Sequence, residues 1–368
     1  MKRLMAVICI LLLLFASACA EEGRVVFSSP GQDILKVACL LPQGRALLLG
    51  RYQGAACLLC LNADGSEAWR YQAPEGGYAA ARLGENGIID VLWGQGGSEE
   101  KPREQLGIRH FTLDGQPTGD YIPLPQADGL LQASEKCILV EQLNDDDATF
   151  TRTFYSWEGV PLFRFDSETL IGDAMTLLSG GEGTVLYSNE TGYPYLALIL
   201  EVDQTGQPLW QTVIPGLNSE NSNRLEKCIR LSDGGYLGFL CEWNEGRECS
   251  LVRLDRTGRI LWLNRQAFEG LPVVRCEDMC EYGGRLVVAV ASPEWAYDMP
   301  DQYLWFDGEG HRLGVTETAH PQNEASFGPD LLPTESGLWG LVMVGELRSD
   351  GRIDTAQADT VLLRVPEP

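Results

Sequence analysis

The chain has 368 residues, with 28 Lys and Arg against 52 Asp and Glu, three His and a formal net charge of −24. A field of that sign repels phosphate, so nucleic acid and anionic lipid surfaces are poor partners, and cations and basic groups are favoured. No Pro-rich, Ser-rich or like-charged linker interrupts residues 30 to 365, so one domain must absorb the whole length.

At the N-terminus, Lys2 and Arg3 precede a mostly apolar run from Leu4 to Phe15. That run is too short to span a bilayer and reads as a signal peptide over residues 1–22. Ala16-Ser17-Ala18-Cys19 then fits two devices. Small residues suit ordinary signal peptidase, and Cys19 suits a bacterial lipobox with Ala16 where Leu is usual. The first outcome is a secreted protein and the second a cell-surface lipoprotein, with Cys19 receiving the lipid. Loss of Lys2 and Arg3 leaves a mature part of about −26 by formal counting.

From residue 23 onward the chain repeats itself. NADGSEAW at 62–69, DQTGQPLW at 203–210 and DRTGRILW at 255–262 share Asp or Asn, then Gly three residues on, then Trp four beyond the Gly. Looser copies bring the anchor glycines to Gly65, Gly115, Gly159, Gly206, Gly258 and Gly310, spaced 50, 44, 47, 52 and 52 residues apart. Such spacing suits a four-stranded unit. Each motif reads as a hairpin turn in which Asp or Asn caps the backbone and Gly supplies a positive φ. Trp69, Trp210 and Trp262 then serve as wedges against the next unit. Apolar runs such as Ala46 to Leu49, Leu237 to Leu240 and Leu286 to Ala291 predict strands covered on both faces.

The last unit ends without its turn and fourth strand, and Gly23-Arg24-Val25-Val26-Phe27 at the start matches Gly258 to Trp262. The expected fold is therefore an all-β, seven-bladed β-propeller of four-stranded antiparallel blades over residues 23–368, closed by the N-terminal strand joining the last blade. Blades are expected near 31–76, 77–124, 127–167, 170–215, 223–268, 271–318 and 325–365 with 23–28.

The Asp-x-Thr-Gly-x-x-x-Trp copies at 203–210 and 255–262 resemble the repeat of the pyrroloquinoline-quinone-like β-propeller superfamily. The resemblance implies the propeller fold over nearly all of the mature chain, and it is weak for function. That superfamily contains eight-bladed quinoprotein dehydrogenases and secreted or lipid-anchored scaffolds without catalysis. The adjacent Cys-Cys pair of the dehydrogenases is absent and seven blades are counted here, so the scaffold branch is implied and quinone is not an expected cofactor.

Groups that carry chemistry are few. His110, His311 and His320 lack the spacing of a helical metal pair, and no nucleophile elbow or phosphate loop occurs. Nine cysteines remain once Cys9 and Cys19 are set aside, an odd number that argues against a complete disulfide framework. Cys241 and Cys249 flank a turn at Asn244-Glu245-Gly246, which leaves open either a disulfide across a hairpin or two buried thiols.

Connections between first and second strands are short, whereas those between second and third strands reach 11 to 14 residues at 94–107, 292–302 and 346–359. Long loops on one rim of a rigid scaffold favour binding there. Glu294, Trp295, Tyr297, Asp298 and Asp301 have the makeup of a peptide or sugar contact, and Asp145, Asp146 and Asp147 are candidate ligands for calcium. The expected role is a monomeric, non-enzymatic binding or scaffold propeller with a protein, peptide or carbohydrate partner at the cell envelope. The rival is a hydrolase or lyase on an extracellular polymer, with carboxylates meeting at the propeller channel.

Overall fold

The computed structural model describes residues 24–27, 34–73, 76–95, 105–128, 131–144, 149–166, 176–181, 183–189, 197–216, 222–243, 247–271, 275–291, 301–318, 324–346 and 358–368. Cys19, Gly23, Asp145, Asp146, Asp147, Glu294, Trp295, Tyr297, Asp298 and His320 lie outside the described residues.

The short strand β1 (Arg24–Phe27) opens the chain. Blade 1 follows as β2 (Ile34–Leu41), β3 (Arg45–Tyr52), β4 (Ala55–Leu61) and β5 (Glu67–Ala73). Blade 2 is β6 (Gly77–Leu83), β7 (Ile89–Gln95), β8 (Gln105–Phe111) and β9 (Pro117–Leu124); blade 3 is β10 (Leu131–Ala133), β11 (Ile138–Asn144), β12 (Thr149–Tyr155) and β13 (Pro161–Asp166). Blade 4 comprises β14 (Thr176–Ser179), β15 (Thr184–Asn189), β16 (Ala197–Val202) and β17 (Pro208–Ile214). Blade 5 comprises β18 (Ser222–Arg230), β19 (Tyr236–Trp243), β20 (Arg247–Leu254) and β21 (Ile260–Asn264). In blade 6 come β22 (Arg275–Tyr282), β23 (Arg285–Ala291), β24 (Asp301–Phe306) and β25 (Arg312–Thr318). Blade 7 takes β26 (Glu324–Thr334), β27 (Gly337–Glu346) and β28 (Asp359–Arg364), and β1 completes it.

All seven sheets are four-stranded antiparallel meanders. The ring is closed by the β1–β28 ladder, in which Arg24 faces Leu363 and Phe27 faces Thr360. One rim carries the turns between first and second and between third and fourth strands, and the other carries the remaining connections. The second and third strands are the most buried, because apolar side chains on both of their faces meet neighbouring blades. Distinct cores lie between blades, such as Phe239, Leu251, Met279, Leu286 and Phe306 between blades 5 and 6.

The turn motif explains how blades lock together. Asp203 Oδ1 accepts from the backbone N–H of Thr205 at 2.7 Å and of Gln207 at 3.0 Å, and Asp255 repeats both bonds with Thr257 and Arg259 at 2.8 and 3.0 Å. These bonds hold both carboxyls below the ordinary carboxylate range, side-chain hydrogen bonding from the threonine being the largest cause. Gly258 has φ +80, and a Cβ there would lie 2.2 Å from the Trp210 ring of the preceding blade. Glycine therefore answers two demands at once, a left-handed backbone and a bare surface for the neighbour's indole. Trp69 sits in the same way on Gly115, and Trp262 on Gly310. The Trp69 and Trp262 indole N–H groups donate to Leu113 and Gly308 carbonyls at 2.9 and 3.1 Å.

Candidate functional site in the central channel

The first strands of the blades ring the axis, and among the described residues five of them carry a bulge at a matching height: at Ala38 in β2, Ala79 in β6, Glu226 in β18, Glu277 in β22 and Gly328-Pro329 in β26. A bulge redirects the residues around it. The residues just past it are Cys39, Ala80, Lys227, Asp278 and Asp330. The two sides of the channel differ sharply in these positions, small on blades 1 and 2 and charged on blades 5 to 7.

On the charged side each side chain reaches the next blade. The Lys227 ammonium donates to Asp278 Oδ1 at 2.8 Å. Asp278 Oδ2 accepts from the Leu331 N–H at 2.8 Å, and Asp330 Oδ2 accepts from the Val37 N–H at 3.1 Å. Gln132 Oε1 makes the equivalent bond to the Leu177 N–H at 3.0 Å between blades 3 and 4. Burial pushes the Asp330 carboxyl up to about 6, with the Asp278 charge adding and Lys227 opposing. Burial works against the Lys227 charge, yet Asp278 outweighs it and holds the ammonium above its ordinary value.

On the small side lies a cavity of about 1160 Å³. Its wall includes Ala38, Ala79, Ala80 and Ala133 from blades 1 to 3, with Lys36, Cys39 and Glu135 beside them. It runs from the channel to the rim of short turns, where Trp157, Glu158 and Asp203 border it. Its volume lies somewhat above the roughly 300–1,000 Å³ usual for ligand pockets. Arg82 helps shape that mouth: its guanidinium lies 5.0 Å from the Trp157 ring centroid, donates to Asp90 at 2.9 Å and to the Glu135 carbonyl at 2.5 Å. Burial, then the Glu135 charge, pushes the Cys39 thiol up to about 12, so it stays protonated at neutral pH and is a poor nucleophile.

The residues singled out from sequence are distributed differently. Asp301 is the first residue of β24, buried and opposite Thr318, and so is not on an open loop. His110 Nδ1 lies 2.8 Å from Asp90, and exposed His311 lies 3.0 Å from Asp307. Among the described residues no group of three or more His, Cys, Asp or Glu is arranged to hold a metal ion. Cys241 and Cys249 face each other across β19 and β20. Sequence inspection missed Lys227, Asp278 and Asp330, which are 51 and 52 residues apart. That is within one residue of the 52-residue spacing of the last turn glycines, and superposing blades on those glycines would have revealed them.

No family model matches the chain, and no curated protein matches it. Among solved structures it is similar to an ulvan lyase from a new polysaccharide lyase family, with TM-score 0.55, 11% identity and coverage of 94% of this chain and 96% of that one. The β-propeller domain of the trilobed protease from Pyrococcus furiosus gives TM-score 0.51 at 10% identity over 90% and 96% of the two chains. The acylaminoacyl peptidase of Pyrococcus horikoshii gives 0.52 at 10% identity, over 92% of this chain and 52% of that one. That propeller domain is described as having an open velcro topology, whereas here β1 pairs with β28. Identities this low speak to architecture alone, and on that ground the chain is a seven-bladed β-propeller closed by its own N-terminal strand.

Proposed function

We propose that this chain is an exported binding propeller of the cell envelope, without catalytic activity, that seats a peptide or carbohydrate in the alanine-walled side of its channel. One observation carries the reading. A cavity of about 1160 Å³ opens on the axis where Cys39 and Ala80 stand at the height at which other blades place charged clamps. Small side chains leave room for a ligand, and the paired Lys227 and Asp278 opposite are engaged in holding blades together. Anchoring through a lipid on Cys19, a monomeric state and descent from the scaffold branch of the pyrroloquinoline-quinone-like propellers belong to the same proposal. So does a second contact surface on the long-loop rim around Glu294, Trp295, Tyr297 and Asp298, and cation binding by Asp145, Asp146 and Asp147.

The test is capture of envelope polysaccharides and peptide libraries by the full chain, by Ala80→Phe and by a variant with residues 292–300 scrambled. Loss of capture in Ala80→Phe is expected, with the scrambled loop weakening it. Capture that survives both changes would sink the proposal.

A second reading, a hydrolase or lyase acting on an extracellular polymer, is supported by Asp330, a carboxyl pushed up to about 6 beside a second carboxylate and an ammonium. Cleavage of an envelope polysaccharide, abolished by Asp330→Asn, would establish it.

A further inference from the structure

We infer that Cys241 and Cys249 are joined by a disulfide that staples the β19–β20 hairpin inside the core between blades 5 and 6. The two residues are direct partners in the antiparallel ladder. Opposed residues in such a ladder have Cα atoms about 4.5–5.5 Å apart, within the range of roughly 4.4–6.8 Å that disulfides span. Side chains of opposed residues leave the sheet on the same face, and here the two sulfur atoms are 3.2 Å apart. That separation is about 1.2 Å longer than the roughly 2.0 Å of a disulfide bond.

Surroundings decide when the bond is made. Both residues are buried and pack with Cys276, Met279, Leu286 and Val290 of blade 6. An oxidant cannot reach sulfurs there once blades 5 and 6 have closed, so the bond forms on the hairpin during folding. The chemistry is exchange with a disulfide donor. One cysteine thiolate attacks a donor sulfur, giving a mixed disulfide and expelling the donor's other sulfur as a thiolate. The second cysteine thiolate then displaces the remaining donor sulfur. One S–S bond forms in the protein as the donor S–S bond breaks, the donor gains two electrons, and the two thiol protons pass to its sulfurs. After closure the same burial shields the bond from reductant, which makes it a structural staple.

The chain itself supplies a clean assay, because Arg247 lies between the two cysteines and trypsin separates them onto peptides 231–247 and 248–253. The full chain is refolded in a buffer of reduced and oxidised glutathione, alkylated in denaturant and digested. The expected product is those two peptides linked, lighter by two hydrogens than the sum of the free thiols. It should survive treatment of the folded protein with reductant and disappear when denaturant is added with the reductant. Recovery of both peptides fully alkylated, or linked to other cysteines, would overturn the pairing. Loss of the link from the folded protein under reductant would overturn the sheltered staple. Cys241→Val with Cys249→Val keeps the site apolar where serines would compromise folding, and it must lose the linked product while retaining the strand signature.

Discussion

The two sides of the central channel are built from the same bulged first strands, yet blades 5 to 7 place Lys227, Asp278 and Asp330 where blades 1 and 2 place Cys39 and Ala80. One side spends its side chains on the neighbouring blade, and the other leaves a cavity. Ring closure and ligand space therefore compete for one set of positions around the axis, and this chain divides the ring between them.

The harshest way to break that division is Lys227→Met. It leaves Asp278 and Asp330 buried without their cation, and uncompensated buried charge costs about 3–5 kcal/mol. A urea midpoint that does not move would show that the charged side is not a clamp.

Next in size is the pH response of Asp330, whose carboxyl is pushed up to about 6 from the ordinary carboxylate value of 3.8. Between those values the folded chain holds more protons than the unfolded one, so the Asp330 contribution is fullest below about 4 and is lost as pH rises through 6. A shift of that size is worth roughly 3 kcal/mol at most. Lys227, Asp278 and Lys36 face the same group. Asp330→Asn keeps an acceptor for the Val37 N–H and should flatten this component in urea melts at pH 4 and pH 7. The turn residues Asp203 and Asp255 act the other way, since their depressed values give stability that is lost as pH falls through the acid range.

Gly258→Ala gives a reference outside the channel. It forces a Cβ against Trp210 at positive φ and should cost about 2 kcal/mol without altering the channel. The smallest effect on stability is expected from Ala80→Phe, within about 1 kcal/mol by melting, because the new ring enters open space on the cavity side.

Much of the architecture was legible in the sequence because its signals are local. Asp203 and Asp255 cap turns two and four residues ahead, and the glycine and tryptophan follow at fixed offsets. The closing strand was legible because Gly23 to Phe27 repeats that same pattern. The channel was not, since Lys227, Asp278 and Asp330 are brought together only by the ring and each looks like an ordinary surface charge in its own strand. Asp301 misled for the opposite reason: an acidic residue at the end of a polar loop reads as exposed, yet it begins a buried strand. Alanines at 79, 80 and 133 carry no chemical signal, and their meaning is the space they leave.

The most direct test of this account is ligand capture by Ala80→Phe measured beside its melting temperature. Native melting with capture lost is expected, which separates the alanine-walled side from the clamp. Native melting with capture unchanged would contradict it and move the binding site off the channel.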